Sequence, residues 1–295
     1  GARGPSPIRS GDDVANCLIS YPNRVDEATL SAGSWGSTLS NLQDRQLSLV
    51  ARSVDALTTS TVVRFAYAAT RSFRCFALVN HNLSEAAQWR IKVGTTAGGA
   101  EVYDSGWLDC WQMAFDLGLM PWGTAGLWRH IDGDEFVGHD RAIVHVASAG
   151  WYDGTHVQIE IDDTTNADGF VQVGRVFLGG GIQPAYNMSY GMSEGWVDRT
   201  EVQTTPGGAE YFQNRRPHRV ASFSLDWLSS EEFKRFYEMQ RLLGISGEVF
   251  YIPDTDDADA QQRQGFMGRL QELSMIEYPY VNTRKKAFRV KELQP

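Results

Sequence analysis

The stretch RVASFSLDWLSSEEFKRFYEMQRLLG, Arg219–Gly244, decides the fold. Its first ten residues carry the apolar Val220, Phe223, Leu225 and Trp227, the last three at the period-two spacing of a half-buried strand. Ser229 then offers an N-cap, and Glu232 three residues on completes a capping box, so a helix is predicted over 230–243. Phe233, Phe236, Tyr237, Gln240 and Leu243 trace one face of that helix, and Gly244 supplies its stop. Four strand-like runs follow: EVFYIP (Glu248–Pro253), GFMGRL (Gly265–Leu270), SMIEYPYV (Ser274–Val281) and AFRVKEL (Ala287–Leu293). A strand, a helix and four more strands make architecture, with no catalytic set among them.

Working back from this block, residues 179–194 begin GGG and read as a linker, which places a C-terminal β unit at 195–295. Upstream, residues 16–178 alternate short strands with turns: VVRFAYA, SFRCFALVNHNL, WRIKVGTT, AEVYDSGWLD, AIVHVAS, HVQIEID and FVQVGRVFLGG. In HVQIEID, Val157, Ile159 and Ile161 face one way and Gln158, Glu160 and Asp162 the other. Strands at this spacing without helices between them indicate an antiparallel sandwich or barrel. Gln112–Asp140 interrupts the rhythm as a long aromatic, Gly-rich loop, and residues 1–15 read as a flexible arm. The fold class is therefore mostly β, with one packed α-helix.

The totals narrow the function. A formal charge of −9 and a pI near 5.2 disfavour a sequence-independent nucleic-acid binder or an anionic membrane surface. No apolar run is long enough for a membrane span, and the start lacks the apolar core of a secretion signal. Cys17, Cys75 and Cys110 are too few and too scattered for a disulfide framework or a zinc knuckle, and read as buried thiols of a reducing compartment. The motifs GxSxG, HExxH, GxxxxGK[ST] and GxGxxG are absent. His139 and His145 are weighed as a metal pair and set aside, as are Asp132, Asp134 and Glu135 as glycosidase carboxylates. Asp254, Asp256, Asp257 and Asp259 do not fit a calcium-binding EF-hand loop and read as a solvated turn between strands. The expectation is a non-enzyme without cofactor or metal. Five of the nine tryptophans, among them Trp111, Trp122 and Trp128, fall in or beside the long loop. These three are candidate contacts for a sugar or a partner, because an indole can stack on a sugar face or anchor an interface.

Two blocks carry a resemblance. Ala28–Ser53 (ATLSAGSWGSTLSNLQDRQLSLVARS), with FALVNHNLS and GRVFLGG, is similar to the galactose-binding-like jelly-roll domains of tailed-phage structural proteins. Gly207–Gly244, with GFMGRLQELSMIEY, resembles distal-tail and minor tail proteins of long-tailed bacteriophages, whose β-barrel or sandwich with a packed helix is related to the tail tube. The resemblance implies a structural virion component at the distal tail, made in the bacterial host cytoplasm. Its partners would be further copies in a ring, the tail tube and hub proteins, and for the outward jelly roll a host-surface glycan. Neither sequence-specific nucleic acid nor membrane insertion is expected. A ring subunit needs sheet edges to offer its neighbours, and SMIEYPYV and AFRVKEL are the candidates. Arg284, Lys285 and Lys286 are read as the polar turn between them and as candidate subunit contacts.

Overall fold

The structure is a computed structural model that describes residues 16–111, 142–148, 150–280 and 283–294. The chain enters as β1 (Leu18–Ser20), a strand of a sheet that only the C-terminal residues complete. Nine strands follow: β2 (Thr29–Ser31), β3 (Ala51–Arg52), β4 (Val63–Phe73), β5 (Cys75–His81), β6 (Gln88–Gly94), β7 (Tyr103–Asp109), β8 (Ile143–Val146), β9 (Tyr152–Asp162) and β10 (Gln172–Gly179). They form a five-stranded sheet, β2-β4-β9-β6-β7, and a four-stranded sheet, β3-β10-β5-β8, with every pairing antiparallel. Phe65, Trp89, Ile91, Val157, Ile159 and Ile161 from the first sheet meet Phe76, Leu78, Val176 and Leu178 from the second in one core. The predicted jelly-roll-like sandwich is thus present, and Val157, Ile159 and Ile161 face inward as their alternation requires.

The C-terminal half supplies β11 (Ser193–Val197), β12 (Glu201–Thr204), β13 (Glu210–Gln213), β14 (His218–Leu228), α1 (Ser230–Leu243), β15 (Glu248–Ile252), α2 (Ala258–Gln264), β16 (Phe266–Leu270), β17 (Ile276–Tyr280) and β18 (Thr283–Glu292). Its seven-stranded sheet runs β1-β15-β16-β18-β14-β11, with β17 also paired to β18. Leu18, Ile19 and Ser20 pair with Ile252, Tyr251 and Phe250, so residues counted with the sandwich in sequence belong to this sheet in space. Helix α1 has the full capping box, with Ser229 and Glu232 each bonded to the other's backbone, and it buries Phe236 and Met239 on the sheet.

Several expectations need correction. β18 is central, with β14 on one side and β16 and β17 on the other, so AFRVKEL is no edge. Between Leu225 and Leu228 a bulge inserts one extra residue opposite β18. The alternation flips there: Leu228 enters the core and Trp227, expected inside, is 56% exposed. The acidic run is not a plain turn, because it opens α2: Asp257 Oδ1 accepts from Ala260 N, and Asp254 Oδ1 accepts from Asp256 N.

The four-stranded sheet is covered on both faces, which is why β5 reads as an apolar run with little alternation. Phe76 and Leu78 face the sandwich core, while Cys75, Ala77 and Val79 pack with Leu18, Phe177, Phe250, Ile252 and Met267 in a second interior. The Phe177 and Phe250 rings lie 5.4 Å apart across this seam. Four layers result: five-stranded sheet, four-stranded sheet, seven-stranded sheet and α1. A buried ion pair also crosses the seam. Arg175 Nη2 lies 2.7 Å from Glu248 Oε2 and 2.7 Å from Asp26 Oδ1, and Arg175 Nη1 donates to Leu42 O. Burial outweighs this arginine at Asp26 and holds its carboxyl above the usual range.

Candidate assembly surface

Between β11 and β14 the chain leaves the body as the hairpin β12–β13. Val202 pairs with Phe212, Gln203 with Tyr211, and Thr205 N closes the turn on Ala209 O, with Gly208 in the left-handed region at φ +84°. Every residue of both strands is exposed. An isolated two-stranded ribbon is marginally stable in water, yet this one carries Val202, Tyr211 and Phe212 into solvent, Tyr211 at 64% exposure.

The helix face predicted from sequence is only half used. Phe236 is buried and Leu243 packs at the core margin, but Tyr237 is exposed and Phe233 lies half-buried on the outer side. With Leu273, Met275 and Tyr278 they line an open groove of about 620 Å³ beside β17. Arg284 forms its rim, with its guanidinium 5.2 Å from the Phe233 ring centre and 5.6 Å from that of Tyr278. A neighbouring recess exposes Trp227 and Tyr186 beside Leu228.

The other predicted subunit contacts divide. Arg284, Lys285 and Lys286 lie on β18 rather than in a turn. Lys285 sits 3.5 Å from Asp226 and stays accessible. Lys286 is 1% exposed and donates to Gln240 Oε1 at 2.5 Å, so it is an internal residue and cannot touch a neighbour. Strand parity decides this: Ala287 and Arg289 look outward while Lys286, Phe288 and Val290 look inward.

Trp111 is likewise internal. It is 2% exposed, its indole N–H donates to Ser84 O, and it packs edge-on to His81, so it offers no face to a sugar. Trp122 and Trp128, with His130, Asp132, Asp134, Glu135 and His139, lie outside the described residues. His145 is taken up by Tyr103, whose hydroxyl lies 2.6 Å from its Nε2, and burial lowers the imidazole to about 4. On the sandwich, Trp151 is the indole that sequence reasoning undervalued. It is 47% exposed and lies over the buried Arg74 guanidinium at 4.7 Å. Its only signal in the sequence is its place just beyond the long loop.

Cys17, Cys75 and Cys110 are free and buried. Among the described residues no group of three or more His, Cys, Asp or Glu is placed to hold a metal ion, and no helix is long and apolar enough to cross a membrane.

No protein-family model matches this chain, and no curated protein sequence matches it. Solved structures similar to it include the lectin-binding domain of lectinolysin, a His 62 mutant complexed with Lewis b, at 11% identity and a TM-score of 0.34, covering 55% of this chain and 98% of that one. A CBM32 protein produced by Clostridium perfringens aligns at 12% identity and 0.32, over 54% of this chain and all of that one. A fucolectin from striped bass (Morone saxatilis) serum aligns at 9% and 0.35, over 91% and 92%.

Proposed function

We propose that this chain is a structural, self-associating protein without enzymatic activity: a bacteriophage tail-tip component of the distal or minor tail type, acting as one subunit of a ring or hub-associated collar. The observation that carries this reading is the pairing of an exposed hairpin that carries Val202, Tyr211 and Phe212 into solvent with an open aromatic groove on the same sheet. They lie toward opposite ends of β14, since the hairpin leaves beside His218 while the groove flanks the Ser224–Leu228 end. At about 3.3 Å per residue, the strand between them spans roughly 20–33 Å. A copy therefore does not fill its own groove, and the contact is head-to-tail between copies, the geometry that closes into rings. The sheet would join the tail tube and hub proteins, and the sandwich would point outward. The virion assignment draws on the C-terminal sequence resemblance. Its test is immunogold electron microscopy on intact particles with antibody to this chain: label at the distal end of the tail is expected, and label on capsids alone, or on no particle, contradicts it.

A second reading, glycan recognition by the sandwich, is favoured by Trp151, whose open indole face is backed by Arg74. Under it, Trp151→Ala, or Trp122→Ala with Trp128→Ala, abolishes binding to host-surface polysaccharide while circular dichroism is unchanged. Undiminished binding in all these variants retires the idea.

A further inference from the structure

The groove beside β17 carries hydrogen-bond donors that lack acceptors among the described residues. Gln240 lines it and is 8% exposed. Lys286 has donors only, so it fixes the amide oxygen of Gln240 toward itself, with Nζ 2.5 Å from Oε1. The Gln240 Nε2 is then left without a hydrogen-bond partner among the described residues. Arg284 at the rim meets the Phe233 and Tyr278 rings as a cation, and its Nε has no hydrogen-bond partner among the described residues either. The Ser274 hydroxyl is committed to Ala287 O. The groove therefore calls for an apolar side chain that arrives together with a hydrogen-bond acceptor, and a carboxylate suits the guanidinium best.

We propose that the occupant is one face of the hairpin of a second copy, with Phe212 seated among Phe233, Tyr237 and Tyr278 and with Glu210 paired to Arg284. This rests on the head-to-tail reading above and assigns the contact within it. In the β12–β13 register Val202 lies opposite Phe212 and Thr204 opposite Glu210, so these four share one face of the ribbon. Tyr211 and Glu201 lie on the other face. The two faces differ in charge as well as in shape. On the Tyr211 face, Glu201 is already held by Arg215 at 2.7 Å. On the Phe212 face, Glu210 is exposed and enters no ion pair among the described residues.

Spacing and chemistry together choose this face. Two residues along a strand rise by roughly 6.6 Å, and Arg284 stands 5.2 and 5.6 Å from the Phe233 and Tyr278 ring centres. A strand laid along the groove can thus put the Phe212 ring against these rings while Glu210 reaches the guanidinium. Val202, 52% exposed and directly opposite Phe212, extends the same apolar face. A wholly apolar guest would cover the Arg284 and Gln240 donors without giving them acceptors, and their desolvation would go uncompensated. A cationic guest would meet Arg284 as a like charge.

The test is a charge-reversal cycle on the full chain, read by mass photometry across a concentration series. Glu210→Arg and Arg284→Glu should each raise the concentration for half-assembly by roughly tenfold or more, and the double variant should return to within roughly threefold of wild type. Phe212→Ala should weaken assembly more than Tyr211→Ala, because Phe212 lies on the docking face. Glu210 sits on a hairpin exposed along both strands, so Glu210→Arg leaves the body intact. Should Arg284→Glu fail to fold, Arg284→Gln takes its place, and in that background Glu210→Gln should add less than roughly a twofold loss. Three results overturn the contact while head-to-tail association stands: wild-type assembly untouched by both charge variants, single losses that the double variant does not recover, or a Tyr211→Ala loss as large as that of Phe212→Ala. A wild-type chain that stays monomeric overturns both, so the two failures are told apart.

Discussion

Lys286 is a cation in an apolar interior, and burial lowers its ammonium to about 8. In the unfolded chain it titrates near the ordinary lysine value of 10.5, so between these values the unfolded state binds more protons and this group adds stability as pH rises. The three buried thiols act in the opposite sense. Burial pushes Cys17 and Cys75 to about 12 and Cys110 well above its usual value, so they lose stability as pH rises through 9. The contribution of Lys286 is isolated by difference. From pH 7 to 9.5, wild type should gain about 1–2 kcal/mol relative to Lys286→Met in urea unfolding; parallel pH profiles would contradict this. Arg175 offers a second test at the same scale. Arg175→Met leaves the buried Glu248 carboxylate only Asn23 and the more distant, exposed Arg45 and should cost about 3 kcal/mol, while Arg175→Met with Glu248→Leu should recover most of that loss. At this scale the sequence was legible where parity is unbroken, as at Val157, Ile159 and Ile161. It failed at Trp227 because one inserted residue reverses the faces, and both registers read as plausible alternation. It failed at Lys286 because a charged residue beside two other cations looks like solvated surface.

The elements are where sequence reading did best. The β5, β6, β9, β10 and β14 runs appear as strands, and the capping box at Ser229 and Glu232 forms as their spacing requires. Helix α2 escaped notice because four aspartates within six residues suggest a loop, although Asp257 serves as its cap. The hairpin was also missed as an element, since Glu201–Gln213 has neither apolar alternation nor a core to face. Its removal is a clean experiment. Val197 and His218 are paired across β11 and β14, so residues 198–217 can be replaced by a two-residue Asn-Gly turn without breaking the sheet. The shortened chain should keep its melting temperature within a few degrees, because the hairpin buries nothing in the body. It should lose self-association altogether; oligomers that survive the deletion would place the contact elsewhere.

On the scale of the whole molecule, the sequence showed two β units but not the interior between them. Cys75, Ala77, Val79 and Phe177 have the same apolar character as residues facing the sandwich core, so nothing in the pattern marks them as facing a second sheet. That shared interior, with Arg175 and Glu248 inside it, ties the halves into one cooperative structure. Scanning calorimetry should give a single transition, and a fragment covering residues 16–183 should expose the seam and aggregate. Two separated transitions, or a well-behaved fragment, would show that the halves fold independently.

Head-to-tail association through the hairpin and the α1–β17 groove would set the size of the assembly. Mass photometry of the full chain across a range of concentrations tests it most directly. A discrete closed oligomer at an integer multiple of 32.9 kDa is expected, lost on replacement of residues 198–217 or on Tyr237→Asp in the groove. A 32.9 kDa monomer at every concentration would contradict it.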